Sequence, residues 1–592
     1  MKAKKIQTAW NLNLLYASKI DPQIDKDIAL AEARVSVFAK KYQKDKGYLA
    51  DENKLFKALT EYEALEGMPE GIKPIMYFAY LGDLNSADQA VQARMSLLQE
   101  RYTKIGNKLV FFSLSLGKIS SDQQKKFLAS KKLSHFRYLL KNIFDRSRYQ
   151  LSEAEEKILS LKSLPSSSLW VDGQEKVLTA QTVLWKGKHI PLAEGHAMIF
   201  GLPKKERDAL FAKMMEAEKS ISSFAEAELN AIVIDKKIDD ELRGFKRPYS
   251  ATILGYQNDE KAVINFVETV TKHFSISHKF YDVKAMLLNQ KEFTYADRAA
   301  RIGATKESYT FENSIGIVDR AFRSVDPVFA DIFQRFLANG QIDVLAKKGK
   351  RGGAYCSSTI GTPTFVMLNH VDSSRSVMTL GHEMGHAINS ELSKVQSPIY
   401  QDYTISVAEV ASTLFENFVF EELLKTMTEK EKIIALHDRL QDDIQTIFRQ
   451  IACFNFEVEM HETIRAKGAL SKEEIGAMMN KHMQTYLGPK FKLTPLDGYF
   501  FVSWSHIRRF FYVYSYAYGQ LISRALYKKY QADHSYINEI KKFLSAGGSK
   551  SPEDIFKDIG IDTSKPEFFI EGLKSIEEDI KRLKGLLKKN PQ

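Results

Sequence analysis

The sequence predicts a mainly α fold with a small β-sheet next to one central helix. Apolar side chains recur at three- and four-residue spacing over most of the 592 residues, clearly so in 21–161 and again in 429–466. Two short strand-like runs, Lys348–Cys356 and Thr364–Asn369, stand just ahead of the central helix. A chain of this length that is 44% hydrophobic and 27% charged is long enough to bury a large core.

A change of pattern near residue 200 divides the chain into two predicted domains, 1–200 and 201–592. Just before this point, residues 169–179 carry short apolar runs on either side of Asp-Gly, and they predict a hairpin. Residues 183–190 predict a second hairpin, and helical patterning resumes after Pro203. No Gly/Ser/Pro-rich linker separates the two parts. We expect the first domain to be helical and to wall one side of a cavity, and the second to carry the chemistry.

Composition excludes several functional classes. Two cysteines, Cys356 and Cys453, are too few for a disulfide framework and favour a reducing compartment. The net charge of +11 comes from lysines that are scattered among acidic residues, as in 235–240, so we expect no nucleic-acid partner. The first residues lack the apolar core of a signal peptide, and no run of about 18 apolar residues could span a membrane. The expected location is therefore cytoplasmic, without a membrane partner.

The central helix contains an H-E-x-x-H motif. His382 and His386 are one turn apart on a helix, so both imidazoles can reach one ion at about 2 Å, the usual Zn–N distance. Glu383 is placed to accept a proton from a water molecule that such an ion activates. Chance matches occur, and histidines on apolar helices are often core residues. The small neighbours Gly381 and Gly385 leave room for an ion, which favours a site for one zinc ion per chain.

A third ligand has to come from another element, and Glu409 is the candidate. It lies 23 residues after His386, on a second predicted helix from about 404 to 427 that is otherwise apolar. A carboxylate on such a helix is costly unless it is paired or holds a metal. Glu416, seven residues further and on the same face, could orient a ligating histidine. The alternative is that Glu409 simply faces solvent.

The strand-like run ahead of the central helix contains Gly353, Ala354 and Tyr355. An edge strand beside a metal helix can hold an extended peptide by main-chain hydrogen bonds. A glycine pair, Gly352 and Gly353, lets another backbone approach closely. An ordinary hairpin that packs under the helix explains the same pattern equally well.

Aromatic residues are dense between Trp504 and Gly519, where a histidine, His506, precedes a run of tyrosines. Tyr512 and Tyr516 would share one face of a helix. Such density usually belongs to a core, but every buried phenol needs a hydrogen-bond partner. A tyrosine hydroxyl or a histidine N–H here could instead donate to the oxyanion that forms when water attacks a carbonyl.

Together these motifs resemble the oligoendopeptidase F branch of the thimet oligopeptidase family of zinc metallopeptidases. The resemblance covers most of the chain and is clearest from about residue 350 to 520. It rests on the segments Leu151-Ser152-Glu153, Gly353-Ala354-Tyr355, Gly361-Thr362-Pro363, His382-Glu383-Met384-Gly385-His386, Ala408-Glu409-Val410-Ala411-Ser412-Thr413 with Glu416, and His506 with Phe511-Tyr512-Val513-Tyr514.

The resemblance implies a large helical, clam-like zincin with a deep substrate channel that admits short peptides. It implies zinc held by His382, His386 and Glu409, with Glu383 as the catalytic base. It also matches two residues to those that steady the substrate and its oxyanion in the family, namely His506 and Tyr512.

The chain departs from the family pattern at positions that are not predicted ligands. Asn389 replaces a frequent histidine, and Ser505 precedes the candidate histidine where proline is common. Ser515 and Tyr518 interrupt a usual Gln-Tyr-Ala-Thr-Gly pattern. The choice of the oxyanion donor among the tyrosines at positions 512, 514 and 516 therefore stays open.

The predicted function is that of a zinc-dependent oligoendopeptidase, which hydrolyses internal bonds of short unstructured peptides. One alternative is a metallo-carboxypeptidase, which needs a cation near the metal for the terminal carboxylate, and Arg508 and Arg509 keep it open. Another is a non-catalytic zinc or peptide-binding protein, whose mark would be four protein ligands. Three ligands are evident, which leaves one coordination position free.

Overall fold

The computed structural model describes residues 6–303 and 308–589, and it is mainly helical with two small sheets, as the sequence predicts. In chain order the helices are α1 (Pro22–Lys44), α2 (Glu52–Glu66), α3 (Lys73–Leu84), α4 (Gln89–Asn107), α5 (Val110–Gly117), α6 (Ser121–Ala129), α7 (Arg137–Ser147), α8 (Glu153–Ser163), α9 (Leu169–Thr179), α10 (Leu192–Ile199), α11 (Lys204–Ser220), α12 (Ser222–Arg243), α13 (Ser250–Gly255), α14 (Glu260–Lys272), α15 (Ser275–Leu287), α16 (Phe311–Val325), α17 (Pro327–Asn339), α18 (Ser374–Ser393), α19 (Ile405–Leu424), α20 (Glu429–Asp443), α21 (Gln450–Lys467), α22 (Lys472–Leu487), α23 (Tyr514–Ala532), α24 (Ile537–Leu544), α25 (Pro552–Asp558) and α26 (Pro566–Lys589). The strands are β1 (Thr182–Trp185), β2 (Lys188–Pro191), β3 (Ile342–Leu345), β4 (Tyr355–Ser357) and β5 (Phe365–His370).

The described chain packs as two compact units, each assembled from three segments. The first unit consists of residues 6–148, 308–425 and 529–560. The second consists of residues 149–303, 426–528 and 561–589. The division into domains at residue 200, as well as the clam-like body with its channel, stays a prediction.

In the first unit, helices α18 and α19 pack against each other at close range. Helix α18 begins where the Ser373 hydroxyl accepts a hydrogen bond from the Ser376 N–H, and it buries an apolar stripe that includes Leu380 and Met384. A Cβ on Gly385 would lie 2.8 Å from the Cα of Ser412 in α19, so only glycine permits this approach. The two helices predicted around the H-E-x-x-H motif and Glu409 are therefore confirmed.

The larger sheet lies beside α18 and has the strand order β3-β5-β4. Strand β5 runs parallel to β3 and antiparallel to β4, which makes β4 an edge strand. The strand predicted for 364–369 is confirmed as β5. The one predicted for 348–356 is confirmed only at its end, because 348–354 form turns and irregular structure and the strand β4 begins at Tyr355. The third strand, β3, was not predicted, although Ile342 and Val344 form a short β-branched run just after Gly340.

In the second unit, one predicted hairpin is wrong and the other is confirmed. Residues 169–179 form helix α9. Gly173 lies within this helix, where the Cβ of a larger residue would come within 3.1 Å of the Phe224 ring. Gln174 is buried, and its side-chain N–H donates to the Val502 carbonyl, which anchors α9 by a tertiary contact. Strands β1 and β2 form the other hairpin, and its turn residues Lys186 and Gly187 have φ values of 47° and 81°.

The long helix predicted for 429–466 consists of α20, a π-helical turn at Ile444–Arg449, and α21. The wider turn inserts into an otherwise continuous helix, as π-turns commonly do. Among the described residues, no helix is both long and apolar enough to cross a membrane.

Candidate metal centre and surrounding residues

Helices α18 and α19 bring three candidate metal ligands together in the first unit. The Nε2 atom of His382 lies 3.7 Å from Oε2 of Glu409, and the Nε2 atom of His386 lies 4.0 Å from the same oxygen. One ligand atom from each of the three residues falls within 4.8 Å of the others. Within the described ranges, this is the only such group of three found. Glu409 therefore points towards the histidines and away from open solvent.

The separations of these atoms suit one small ion. Two ligands that each lie about 2 Å from a tetrahedral zinc ion are about 3.3 Å apart, so the three atoms, which lie within 4.8 Å of one another, would have to draw closer to hold it. Two imidazoles and one carboxylate are also a donor set that zinc commonly takes in catalytic sites, where a fourth position is open.

Glu416 controls which nitrogen of His382 faces the candidate ion. Glu416 lies two turns beyond Glu409 on α19, and its carboxylate oxygen accepts a hydrogen bond from Nδ1 of His382. With Nδ1 bonded to Glu416, Nε2 is the nitrogen that faces Glu409 and the ion position. Burial lowers the pKa of His382, but the Glu416 carboxylate outweighs it and raises the pKa to about 9. Burial together with His382 lowers the pKa of His386 to about 3.

Glu383 is adjacent to the cluster but is not part of it. Its side chain is buried, and burial with the nearby carboxylates of Glu409 and Glu416 raises its pKa to about 7. Cys356 of β4 lies beside it, and burial raises the pKa of that thiol. A carboxyl group in this setting can hold a proton as well as release one.

A cavity of about 410 Å³ adjoins the cluster within the first unit. Its walls come from β4, α18, the start of α19 and the loop between these two helices. Ala354 and Tyr355 line this cavity, whereas Gly353 lies outside its wall. Sequence reasoning missed Asp402 and Tyr403, which also line it. Polar residues after Pro398 are typical of a loop, and no local pattern indicates that this loop lines the cavity beside the metal ligands.

The segment around Tyr355 leads into the edge strand β4, and its part in peptide binding stays a prediction. The Tyr355 hydroxyl donates to Oδ2 of Asp83 at 2.6 Å, which fixes the ring. Gly353 has φ of 81° and its carbonyl accepts from the Asn369 side chain, so glycine is needed for this turn. Strand β4 pairs with β5 on one side only.

His506, Tyr512 and Tyr516 lie together in the second unit. Nδ1 of His506 is hydrogen-bonded to the Tyr512 hydroxyl. The Tyr516 ring centroid lies 5.9 Å from that of His506 and 5.7 Å from that of Tyr512. Burial and the neighbouring Arg449 and Arg509 lower the pKa of His506 to about 4, which keeps the imidazole neutral near pH 7.

The helix that was expected to carry both Tyr512 and Tyr516 on one face begins after Tyr512. Helix α23 starts at Tyr514, and Tyr512 belongs to an irregular turn before it, so the shared helical face is wrong even though the two rings meet. Tyr514 is fully buried and its hydroxyl donates to the Asn258 side chain.

Arg508 and Arg509 are the two arginines that could bind the terminal carboxylate of a substrate, and the first of them is paired with a glutamate. Arg508 forms two hydrogen bonds of 2.8 Å with the carboxylate of Glu228, and both side chains are buried. Arg509 is exposed.

The fold and this cluster define a mainly helical protein with a candidate H-E-x-x-H metal centre. The family model described as Peptidase family M3 matches residues 204–575, and the one described as Oligopeptidase F matches residues 116–177. The chain therefore belongs to peptidase family M3, as the sequence resemblance indicated, and is a peptidase.

Similar proteins span nearly the whole chain. It is 27% identical to an oligoendopeptidase F homolog of Borreliella burgdorferi, with 94% of both chains covered. It is 25% identical to the oligopeptidase PepF of Bacillus subtilis, over 99% of this chain and 88% of the relative. Its fold is similar to that of a Chlamydophila abortus protein solved as a candidate peptidase, with a TM-score of 0.86, 22% identity and 98% of both chains covered.

Proposed function

We propose that this protein is a zinc-dependent oligoendopeptidase, which hydrolyses internal peptide bonds of short, unstructured peptides. The observation that carries the proposal is the convergence of His382, His386 and Glu409 beside Glu383 on one cavity. The names of the relatives, oligoendopeptidase F homolog and oligopeptidase PepF, support a peptide substrate and cleavage within it.

The two histidines and Glu409 would hold the zinc ion. When bound, the ion supplies a Lewis acid that polarises the scissile carbonyl and acidifies water. Glu416 holds His382 in the tautomer that offers Nε2. Removal of any one ligand is expected to weaken retention of the metal.

Glu383 acts as the general base in this proposal. Its carboxylate takes a proton from the water molecule that attacks the scissile carbonyl carbon, and it then passes that proton to the leaving amine. The buried setting of Glu383 suits both halves of this cycle, since neither the charged nor the neutral form is strongly excluded.

Hydrogen-bond donors are also needed for the oxyanion that forms at the carbonyl. We assign this role to the Tyr512 hydroxyl, with His506 as its hydrogen-bonded partner, and Tyr516, whose ring lies beside that of Tyr512, would contact the substrate. In the first unit, Gly353, Ala354 and Tyr355 would bind the extended peptide along the unpaired side of β4.

The proposal includes a cytoplasmic location and no nucleic-acid or membrane partner. Both cysteines are free, which suits a reducing compartment.

The decisive experiment uses an internally quenched peptide of about ten residues with both termini blocked. An endopeptidase cleaves this blocked peptide. A carboxypeptidase cleaves only the same peptide with a free C-terminus, and a binding protein cleaves neither of the two. We expect activity to be lost after dialysis against a chelator and restored by about one equivalent of zinc. Cleavage of only the free-ended peptide, or activity that survives complete removal of metal, would contradict the proposal.

A further inference from the structure

The backbone just before Tyr512 is strained. Five non-glycine residues in the described ranges have positive φ, and two of them are adjacent, Phe510 at 47° and Phe511 at 61°. A bulky residue in the left-handed region is disfavoured, and two in succession persist only where the surroundings hold them. This turn joins the short 3₁₀ segment Ser505–Arg508, which contains His506, to helix α23.

One buried side chain holds the amide at the centre of this turn. The Phe511 N–H donates to Oε1 of Glu457 on α21 at 2.8 Å, across 54 residues of sequence. The Phe510 carbonyl accepts from the Thr252 hydroxyl at 3.0 Å. The rings of both phenylalanines contact His461, with centroid distances of 5.0 and 4.7 Å.

Burying the carboxyl group of Glu457 costs free energy, and its hydrogen bond to the Phe511 amide is the contact that offsets this cost. The residue is fully buried, and its other oxygen, Oε2, has no hydrogen-bond partner among the residues described. Burial raises its pKa to about 8, and the Phe511 N–H and Lys236 counter this shift only in part. A leucine would fill a similar volume without a polar group to bury. The contact that a leucine could not replace is the one with the Phe511 amide.

The turn determines where the Tyr512 hydroxyl lies. Because Phe511 is left-handed, the chain reverses ahead of α23 and the next side chain, Tyr512, returns to Nδ1 of His506. If residues 510–513 relaxed to an ordinary helical or extended conformation, Tyr512 would leave that position.

We propose that Glu457 is a positioning residue for peptide hydrolysis, because its carboxyl holds the Phe510–Phe511 turn that keeps the Tyr512 hydroxyl on His506. The inference rests on the roles given above to Tyr512 and His506. Glu457 itself contacts no reacting group and acts through the Phe511 amide.

The test compares two variants of the full-length, zinc-loaded protein. Glu457→Gln retains an oxygen acceptor of the same reach, and we expect its kcat to stay within about twofold of the wild type. Glu457→Leu fills the space without an acceptor, and we expect kcat to fall about tenfold or more with KM little changed. Cys453→Ala, a buried change one turn earlier on α21, is the matched control and should leave kcat unchanged.

A second comparison separates positioning from general stability. In a Tyr512→Phe background, Glu457→Leu should change kcat by less than about twofold, since the hydroxyl that it positions is already gone. An equal loss of kcat in both backgrounds, or equal losses in Glu457→Gln and Glu457→Leu, would overturn the proposal.

Amide hydrogen exchange gives a readout that does not depend on activity. In Glu457→Leu the Phe511 amide should exchange at least about tenfold faster, while in Glu457→Gln it should keep its protection. If Tyr512→Phe retained full activity, the role of Tyr512 in the proposed function would fail, and exchange at Phe511 would still decide whether Glu457 holds the turn.

If Glu457→Leu does not fold, Glu457→Ala takes its place. Unchanged protection of the Phe511 amide in a folded variant without an acceptor overturns the proposal.

Discussion

The two candidate functional regions are built in opposite ways. His382, His386 and Glu409 are held by regular helices that pack closely, and a glycine on α18 allows the approach. His506 and Tyr512 are held by an irregular segment whose left-handed residues depend on a buried carboxyl. The first region needs little beyond helix geometry and packing, whereas the second depends on tertiary hydrogen bonds to a distant helix. We therefore expect substitutions to act on chemistry and metal affinity in the first region, and on geometry in the second.

The largest effect should come from Glu383→Gln. The variant keeps all three metal ligands but cannot accept a proton, so we expect kcat to fall by about 10²- to 10⁴-fold with metal content unchanged. Cleavage of the blocked quenched peptide and metal analysis after dialysis measure the two quantities. Glu391→Gln, on the same helix but paired with Arg335 and Lys394, is the control and should stay active. A Glu383→Gln enzyme with a tenth or more of wild-type kcat would remove this residue as the base.

Tyr512→Phe should give the next largest effect, and it extends the comparison to the second region. Loss of one oxyanion donor typically lowers kcat by about 10²- to 10³-fold, and the ring is retained for packing. Tyr516→Phe, which removes the neighbouring hydroxyl, should cost less because Tyr512 is the one bonded to His506. The reverse order of kcat values would reassign the donor to Tyr516.

The same difference explains what could be predicted from the sequence. The metal cluster was predictable because the four-residue spacing of His382 and His386 fixes their shared face on any helix. A carboxylate on an apolar helix, Glu409, was then the natural third ligand. The mainly helical fold followed from periodicity in the same way.

What the sequence could not show depends on contacts between distant residues. Left-handed phenylalanines at 510 and 511 have no local signature, and Glu457 lies 54 residues from the amide that it binds. The apolar runs of 169–179 predict a hairpin, but these residues form helix α9, which a buried tertiary contact of Gln174 anchors. In each case a tertiary contact outweighs local propensity.

A smaller effect is expected from Glu416→Gln in the first region. The amide can still meet Nδ1 of His382 but has no negative charge, so zinc affinity should fall by about 10- to 100-fold. Competition with a chromophoric chelator measures this affinity directly. Glu422→Gln, on α19 and paired with Arg320 and Lys425, is the matched control and should leave affinity unchanged. Equal affinities for Glu416→Gln and the wild type would mean that His382 needs no such partner.

The smallest expected effect is a pH dependence of stability that arises from Glu457. Its ordinary pKa is 4.5, and burial raises the pKa to about 8 in the folded state, so folding favours the neutral carboxyl. This contribution to stability is complete below pH 4.5 and is lost as the pH rises through 8. Glu457→Gln cannot ionise, so its Tm relative to the wild type should rise by a few degrees between pH 5 and pH 9. Lys236 and Cys453 are titratable groups that interact with Glu457, and they are present in both proteins, so their titration largely cancels in the difference. A Tm difference that stayed flat across this range would mean that Glu457 is already ionised at pH 5. The Phe511 amide would then be held by a carboxylate, and the glutamine variant would hold the turn less well than the native residue.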